Sequence, residues 1–303
     1  MKVSGIDLGG TKMELQLFDE DWKVVAKERR PTPNTYGALV TSLVDLIAWG
    51  DEAAGGTVPV GIGAAGLLNP KTGLVLTANL CASGQPLPGD VATAIGRDIT
   101  YINDCRALAL SEAVFGAGQG HHSVMSLILG TGVGGGSVVG GELLQGPTLT
   151  GGEFGHTSAP AHLLAKYNLP LLPCGCGRQA CVECYISGPG MEQIAKVITG
   201  KTMTAPTIAA LKHTDAQAQK VWEIWCDLTA DLILSMTLTA DPDVIVIGGG
   251  LSKIEGICDI LHKATATAQI GDFGVPPILL AQGGDASGAR GAAYAAVQGG
   301  RYV

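Results

Sequence analysis

Apolar and polar positions along the chain fall into short runs punctuated by glycine-rich turns. Lys2 to Ile6 reads as a strand that ends at Asp7-Leu8-Gly9-Gly10-Thr11-Lys12. Beyond that turn Met13, Leu15 and Leu17 alternate with Glu14 and Gln16, so the chain returns as the second strand of a hairpin. Leu39, Val40, Leu43, Leu46 and Ile47 share one helical face, with Asn34 and Thr35 ahead of them as capping residues. Val58 to Gly63 is a buried strand, followed by the loop Ala64 to Pro70 and by the polar turn Asn79 to Leu87. Ile99 to Ile102 is another strand, running into Asn103-Asp104 and an Ala/Leu-rich helix from Ala107 to Val114. At a strand-to-helix junction two such polar residues are more often an N-cap than a catalytic pair.

The second half repeats the opening motif. Val124 to Leu129 is a buried strand, Gly130-Thr-Gly-Val-Gly-Gly-Gly136 follows, and Ser137 to Leu144 resumes as strand. Gly130, Gly132 and Gly135 satisfy a G-x-G-x-x-G spacing, but the helix that a dinucleotide-binding turn requires is missing. What remains is a strand, Gly/Thr turn, strand unit like the one at Asp7, which suggests an internal duplication with one phosphate-binding hairpin per lobe. Thr11 and Lys12 offer a hydroxyl and an ammonium to phosphate oxygens, yet a plain tight turn uses the same glycines. Gln217 to Thr239 is a long helix, and Val244 to Ile247 is a strand of the parallel, fully buried type. Gly248, Gly249 and Gly250 then open a helix, where either a nucleotide or a tight βα turn would call for glycine. A strand at Pro277 to Ala281 and a small-residue helix at Gly288 to Val297 close the chain.

At 303 residues the chain is long enough for two lobes, each with its own core. With 46% apolar and 15% charged residues it is globular, and its net charge of −8 argues against nucleic acid or an anionic membrane as partner. No apolar run approaches the ~20 residues of a membrane span. Met1 to Asp7 enters a strand without a signal-peptide pattern, so a cytoplasmic, reducing location is expected.

Reducing conditions bear on Cys174, Cys176 and Cys181, which crowd a glycine-rich loop with no apolar periodicity to pack their sulfurs. Three thiolates with His156 complete the four-coordinate N/S shell of a closed, structural Zn²⁺ site. Glu153 and Glu183 flank these ligands, so one clasp would fix two carboxylates side by side. The spacing is not that of a zinc finger.

Several stretches together carry a family resemblance. They are Asp7 to Lys12, Ala78-Asn79 with Ala82 to Leu87, Asn103-Asp104, Leu129 to Gly136, Gly152-Glu-Phe-Gly-His156, Cys174 to Glu183 and Val246 to Ser252. On these residues the whole chain resembles the ROK family of repressors, open reading frames and sugar kinases. The resemblance implies an α/β, actin-like ATPase (ribonuclease H-like) fold of two lobes with the substrates in the cleft. Residues 1–117 would form a small N-terminal lobe on which a C-terminal helix, 288–303, packs back, and residues 118–287 a large lobe carrying the zinc.

By the same resemblance Asp104 is the general base for ATP-dependent phosphorylation of a sugar. The sugar expected first is N-acetyl-D-glucosamine, phosphorylated at its 6-hydroxyl, with N-acetylmannosamine and glucose as alternatives. Ser83, Gly84, Asn103, Asp104, Glu153, His156 and Glu183 would surround it. ATP, with Mg²⁺, would lie on Asp7, Gly9, Gly10, Thr11, Lys12, Gly130, Thr131, Gly132, Val133, Gly134, Gly135, Gly248, Gly249 and Gly250. A homodimer is expected. A repressor would need a DNA-binding helix-turn-helix ahead of the first strand and a basic surface, and a non-catalytic sugar sensor would be expected to lose the base or the phosphate loops. The chain departs from the sugar kinases at Cys105-Arg106, commonly Ala-Asn there, and at Cys184.

Overall fold

Two five-stranded sheets are laid down in one order. In the first, β1 (Val3–Leu8), β2 (Lys12–Phe18) and β3 (Val24–Pro31) form an antiparallel meander, and β4 (Val60–Ala64) and β7 (Thr100–Asn103) extend it in parallel from β1. Strands β5 (Leu67–Leu68) and β6 (Val75–Leu76) make a separate small ladder. In the second sheet the order is β10 (Glu142–Leu143), β9 (Val133–Val139), β8 (Ser123–Leu129), β11 (Val244–Gly248) and β12 (Ile278–Leu280), with β8, β11 and β12 parallel. The two sheets thus share one topology, which agrees with the duplication read from the glycine hairpins. The computed structural model describes residues 1–284 and 287–299.

By packing, the chain forms two compact units: Met1–Gly120 with Gly136–Gly152 and the chain from Gln282 onward, and His121–Gly135 with Glu153–Ala281. These units group 118–120, 136–152 and the chain from Gln282 with the first unit, where the expected lobes run over 1–117 with 288–303 and over 118–287. The physical reason is local: Gly136 lies against Ala109 and Arg106, and Arg106 bonds Gly151. In the first unit α1 (Tyr36–Ala54) sets Leu39, Leu43 and Leu46 on Ile6, Leu15 and Ile62. The short helix α2 (Leu87–Ile95) and α3 (Asp104–Phe115) complete that unit with α10 (Ser287–Gln298). Helix α10 packs on β1, β4 and α3 through paired small residues. A Cβ on Gly5 would fall 1.8 Å from the Ala289 carbonyl, and one on Gly61 1.9 Å from that of Ala292.

In the second unit α4 (Ala161–Lys166), α5 (Glu183–Ile186), α6 (Gly188–Thr199), α7 (Ala205–Leu211), α8 (Ala216–Ala240) and α9 (Ile257–Ala268) follow in chain order. Helix α8 contributes the fully buried Trp225, whose indole N–H donates to the Ile186 carbonyl at 2.8 Å. Among the described residues no helix is long and apolar enough to cross a membrane.

Several details differ from the sequence-based expectations, and β1 runs two residues further than Ile6, through Asp7 and Leu8. Strand β3 is additional; its residues are alternately exposed and half-buried at a sheet edge and carry too much charge for an apolar pattern. Helix α3 starts at Asp104, three residues earlier than Ala107, because Asn103 caps it. Strand β9 starts at Val133, so Gly134, Gly135 and Gly136 lie inside a strand. Gly248 to Gly250 lead into a 3₁₀ turn at Gly250–Lys253, and α9 begins only at Ile257. Thr35 occupies the N-cap of α1 without a side-chain cap bond among the described residues. Of the helix expected over 288–303, residues 300–303 lie outside the described residues.

Candidate active site

The junction of β7 and α3 separates the two roles that the sequence leaves combined. Asn103 is the cap: its Oδ1 accepts the backbone N–H of Cys105 at 3.0 Å and of Arg106 at 3.3 Å, while its Nδ2 donates to the Gly66 carbonyl at 3.1 Å. Relieved of capping, Asp104 is the first residue of the helix. It keeps some exposed surface, but its carboxyl is set deep, and burial raises its pKa above the ordinary carboxylate value. The Cys105 N–H, 2.9 Å from Oδ1, and the nearby Arg106 charge pull the other way. Burial also raises the phenol pKa of Tyr101 on β7, and the Asp104 charge adds to it.

The β1–β2 turn belongs to the same unit. Its residues Gly10, Thr11 and Lys12 are exposed, and Asp7 at the end of β1 lies beside Gly288 at the start of α10. The Gly9 carbonyl accepts from Thr32 Oγ1 at 2.7 Å. A Cβ on Gly10 would fall 2.7 Å from the Asn79 carbonyl, so the turn is seated against the segment that leads to Ser83 and Gly84. Ser83 and Gly84 are exposed, and the Gly84 N–H donates to the Val75 carbonyl at 2.7 Å.

In the second unit the glycine loops converge. A Cβ on Gly249 would strike the Leu129 carbonyl at 2.4 Å, and one on Gly130 would lie 4.0 Å from the Gly250 nitrogen. Thr131 and Gly132 are exposed at this meeting point, whereas Val133, Gly134 and Gly135 are buried in β9. Gly135 has a packing role there, since a Cβ would lie 2.0 Å from the Ser126 carbonyl. Beside Gly250 an open pocket of about 500 Å³ is lined by Pro206, Ala209, Lys212, Lys253 and Ile254. Sequence reading misses this pocket, for α7 brings Pro206 and Ala209 to Gly250 from some forty residues away.

Glu183 joins this loop to the cysteine cluster. Its Oε2 accepts the Val133 N–H at 2.8 Å, and its Oε1 lies 4.0 Å from Cys174 Sγ. The four donors expected for a metal all come together: one ligand atom each of His156, Cys174, Cys176 and Cys181 lies within 4.8 Å of the others. Cys174 Sγ is 3.6 Å from His156 Nδ1, and Cys176 Sγ is 3.6 Å from Cys181 Sγ. Tetrahedral zinc, with Zn–S near 2.3 Å and Zn–N near 2.0–2.1 Å, asks for about 3.8 Å between sulfurs and about 3.6 Å from sulfur to nitrogen. The donor set therefore fits the ion. Burial pushes the Cys181 thiol up to about 12, while the backbone bond at Arg178 lowers that of Cys176. His156 turns its other nitrogen, Nε2, toward Glu153, 3.9 Å from Oε2.

Two sheets of one topology, each opening on a glycine hairpin, place the protein in the actin-like class of two-part α/β ATPases. The chain belongs to the ROK family, whose description matches residues 3–298. An N-acetylgalactosamine kinase from Shewanella sp. (strain ANA-3) is 39% identical over 95% of this chain and 94% of its own. An N-acetyl-D-glucosamine kinase from Haemophilus influenzae (strain 86-028NP) is 38% identical over 95% of this chain and 97% of its own. Among solved structures, a ROK family glucokinase from Streptomyces griseus in complex with glucose and AMPPNP matches with a TM-score of 0.77 and 30% identity, covering 99% of this chain and 100% of that one. The protein is an ATP-dependent sugar kinase of this family.

Proposed function

We propose that the protein transfers the γ-phosphoryl group of ATP to the 6-hydroxyl of N-acetyl-D-glucosamine, with Asp104 as general base. The observation that carries this reading is the setting of Asp104. Asn103 holds the cap position, Asp104 shares the Cys105 N–H through Oδ1, and burial raises the proton affinity of its carboxyl. A sugar hydroxyl is a poor nucleophile at neutral pH, and a carboxylate that accepts its proton during attack contributes roughly 10²–10⁴-fold. ATP brings Mg²⁺ as its counter-ion, which neutralises phosphate charge. The β1–β2 turn and the Gly130–Gly132 loop offer backbone N–H groups to the phosphates, and the pocket beside Gly250 offers the apolar Pro206, Ala209 and Ile254 to the base and two lysines, Lys212 and Lys253, in its lining.

Ser83, Gly84, Asn103, Glu153, His156 and Glu183 supply donors and acceptors for sugar hydroxyls. Zinc on His156 Nδ1 and the three thiolates would leave Nε2 free to donate, so one ring would serve metal and substrate. The ion would keep Glu153 and Glu183 in register and would take no part in phosphoryl transfer. Assembly into a homodimer and action in the cytoplasm complete the reading.

A second reading has support of its own. The Shewanella relative acts on N-acetylgalactosamine, the C4 epimer, and it is as similar as the glucosamine kinases. The test is ATP-dependent turnover of N-acetylglucosamine, N-acetylgalactosamine, N-acetylmannosamine and glucose, with wild type and Asp104→Asn. N-acetylglucosamine is expected to give the highest kcat/KM, and Asp104→Asn to lose roughly 10²–10⁴-fold in kcat with sugar binding retained. Preference for the galacto epimer would overturn the substrate, and an active Asp104→Asn would overturn the base.

A further inference from the structure

Arg106 stands two residues after Asp104, where the family resemblance leads one to expect asparagine. It is 3% exposed, the burial of a core residue, although a guanidinium is among the least readily buried groups. Its Nε donates to the Gly151 carbonyl at 2.6 Å, across 45 residues of sequence. Gly151 is the penultimate residue of the mostly exposed loop 144–152, and the chain passes from it through Gly152 directly to Glu153 and His156. At the other end, the Arg106 backbone N–H donates to Asn103 Oδ1, so the same residue helps to cap the helix on which Asp104 sits. The Cα of Arg106 also lies against β9, 3.3 Å from where a Cβ on Gly136 would be.

Resting on the sugar-kinase reading, we propose that Arg106 is a positioning residue that anchors the 144–152 loop to the start of α3 and so fixes the approach of the Glu153–His156 segment for the sugar. It would act through Gly151 and the helix cap, without touching substrate. Lysine keeps the charge but carries its ammonium one atom further from the backbone than Nε, out of place for that bond in a buried setting, and asparagine is shorter still than either. The anchor therefore depends on the geometry of arginine. A second effect follows from its charge: Arg106 opposes the rise that burial imposes on the Asp104 pKa. Among the described residues, Cys105 and Arg106 on its own helix and Tyr101 on β7 act on Asp104, and of these three Arg106 is the cation.

The experiment compares wild type, Arg106→Asn and Arg106→Lys as intact zinc-loaded protein. It measures N-acetylhexosamine Kd by calorimetry, KM for sugar and for ATP, and the pH profile of kcat. Arg106→Asn is expected to raise the sugar Kd and KM about tenfold, to leave the ATP KM within about twofold, and to move the acid limb of kcat to higher pH. Arg106→Lys is expected to show the weakened sugar binding with the acid limb in place. Should Arg106→Asn fail to fold, Arg106→Lys decides the matter, because unchanged sugar affinity in it would sink the anchor. Equal losses for sugar and ATP with an unmoved acid limb would likewise reduce Arg106 to a packing residue. If wild type binds the sugar but does not turn it over, the kinase mechanism fails, and the Kd comparison still judges the anchor. If wild type binds no N-acetylhexosamine, both fall.

Discussion

Asp104 sits in a setting that works against its own charge. Because burial raises its pKa in the folded protein, ionisation costs stability at pH values above the ordinary carboxylate range, and the cost is relieved as pH falls and the group protonates. With Asp104 as the proposed base, activity runs the other way, since a base must be ionised, so kcat is expected to fall as pH drops through the raised pKa. Asp104→Asn should therefore match or exceed the wild-type Tm at pH 7 while losing turnover, a pairing that calorimetry and a coupled assay can read on one preparation. A Tm well below wild type would mean that the carboxylate stabilises the fold. Asn103 and Asp104 were legible as a pair from their place after a strand. Their division of labour was not, because either side chain can cap a helix and only the geometry assigns the cap to Asn103.

At the scale of elements, what the sequence disclosed was what lies close along the chain. Cys174, Cys176 and Cys181 fall within one loop, so their convergence with His156 needed little tertiary information. The bond from Val133 to Glu183 spans 50 residues and that from Arg106 to Gly151 spans 45, and no local pattern announces either. Strand β3 was hidden for another reason: an edge strand buries little and tolerates Lys27, Glu28, Arg29 and Arg30 in a row. The cysteine loop itself buries little beyond Cys174 and Cys181, so a bound metal would supply much of its order. Chelation is expected to lower Tm and sugar affinity together, and metal analysis should find about one zinc per chain. Undiminished sugar binding in verified metal-free protein would break that link.

Over the whole molecule the same topology serves two sheets with different supports. The second unit is cored by α8 and its Trp225, whereas the first depends on α10, a helix from the far end of the chain. Glu112 secures that return. It is fully buried and accepts bonds from Ala117 N at 3.1 Å, Gln282 N at 2.9 Å, Gly283 N at 2.7 Å and Ser287 Oγ at 2.8 Å. Glu112→Ala would leave three backbone N–H groups without that acceptor and is expected to cost on the order of 3 kcal/mol in denaturant unfolding. A loss under about 1 kcal/mol would show that water replaces the carboxylate.

The docking of α10 on β1 and β4 also sets an order of events during synthesis. Strands β1 and β4 cannot complete their core until α10, more than two hundred residues further along the chain, has been made, for the carbonyls of Ala289 and Ala292 fill the spaces left by Gly5 and Gly61. The second unit, by contrast, lies wholly between these two pieces in sequence and can close first. A nascent chain would thus carry the sheet of β1 and β4 unfinished until α10 emerges, and that sheet is the part most in need of protection from premature association.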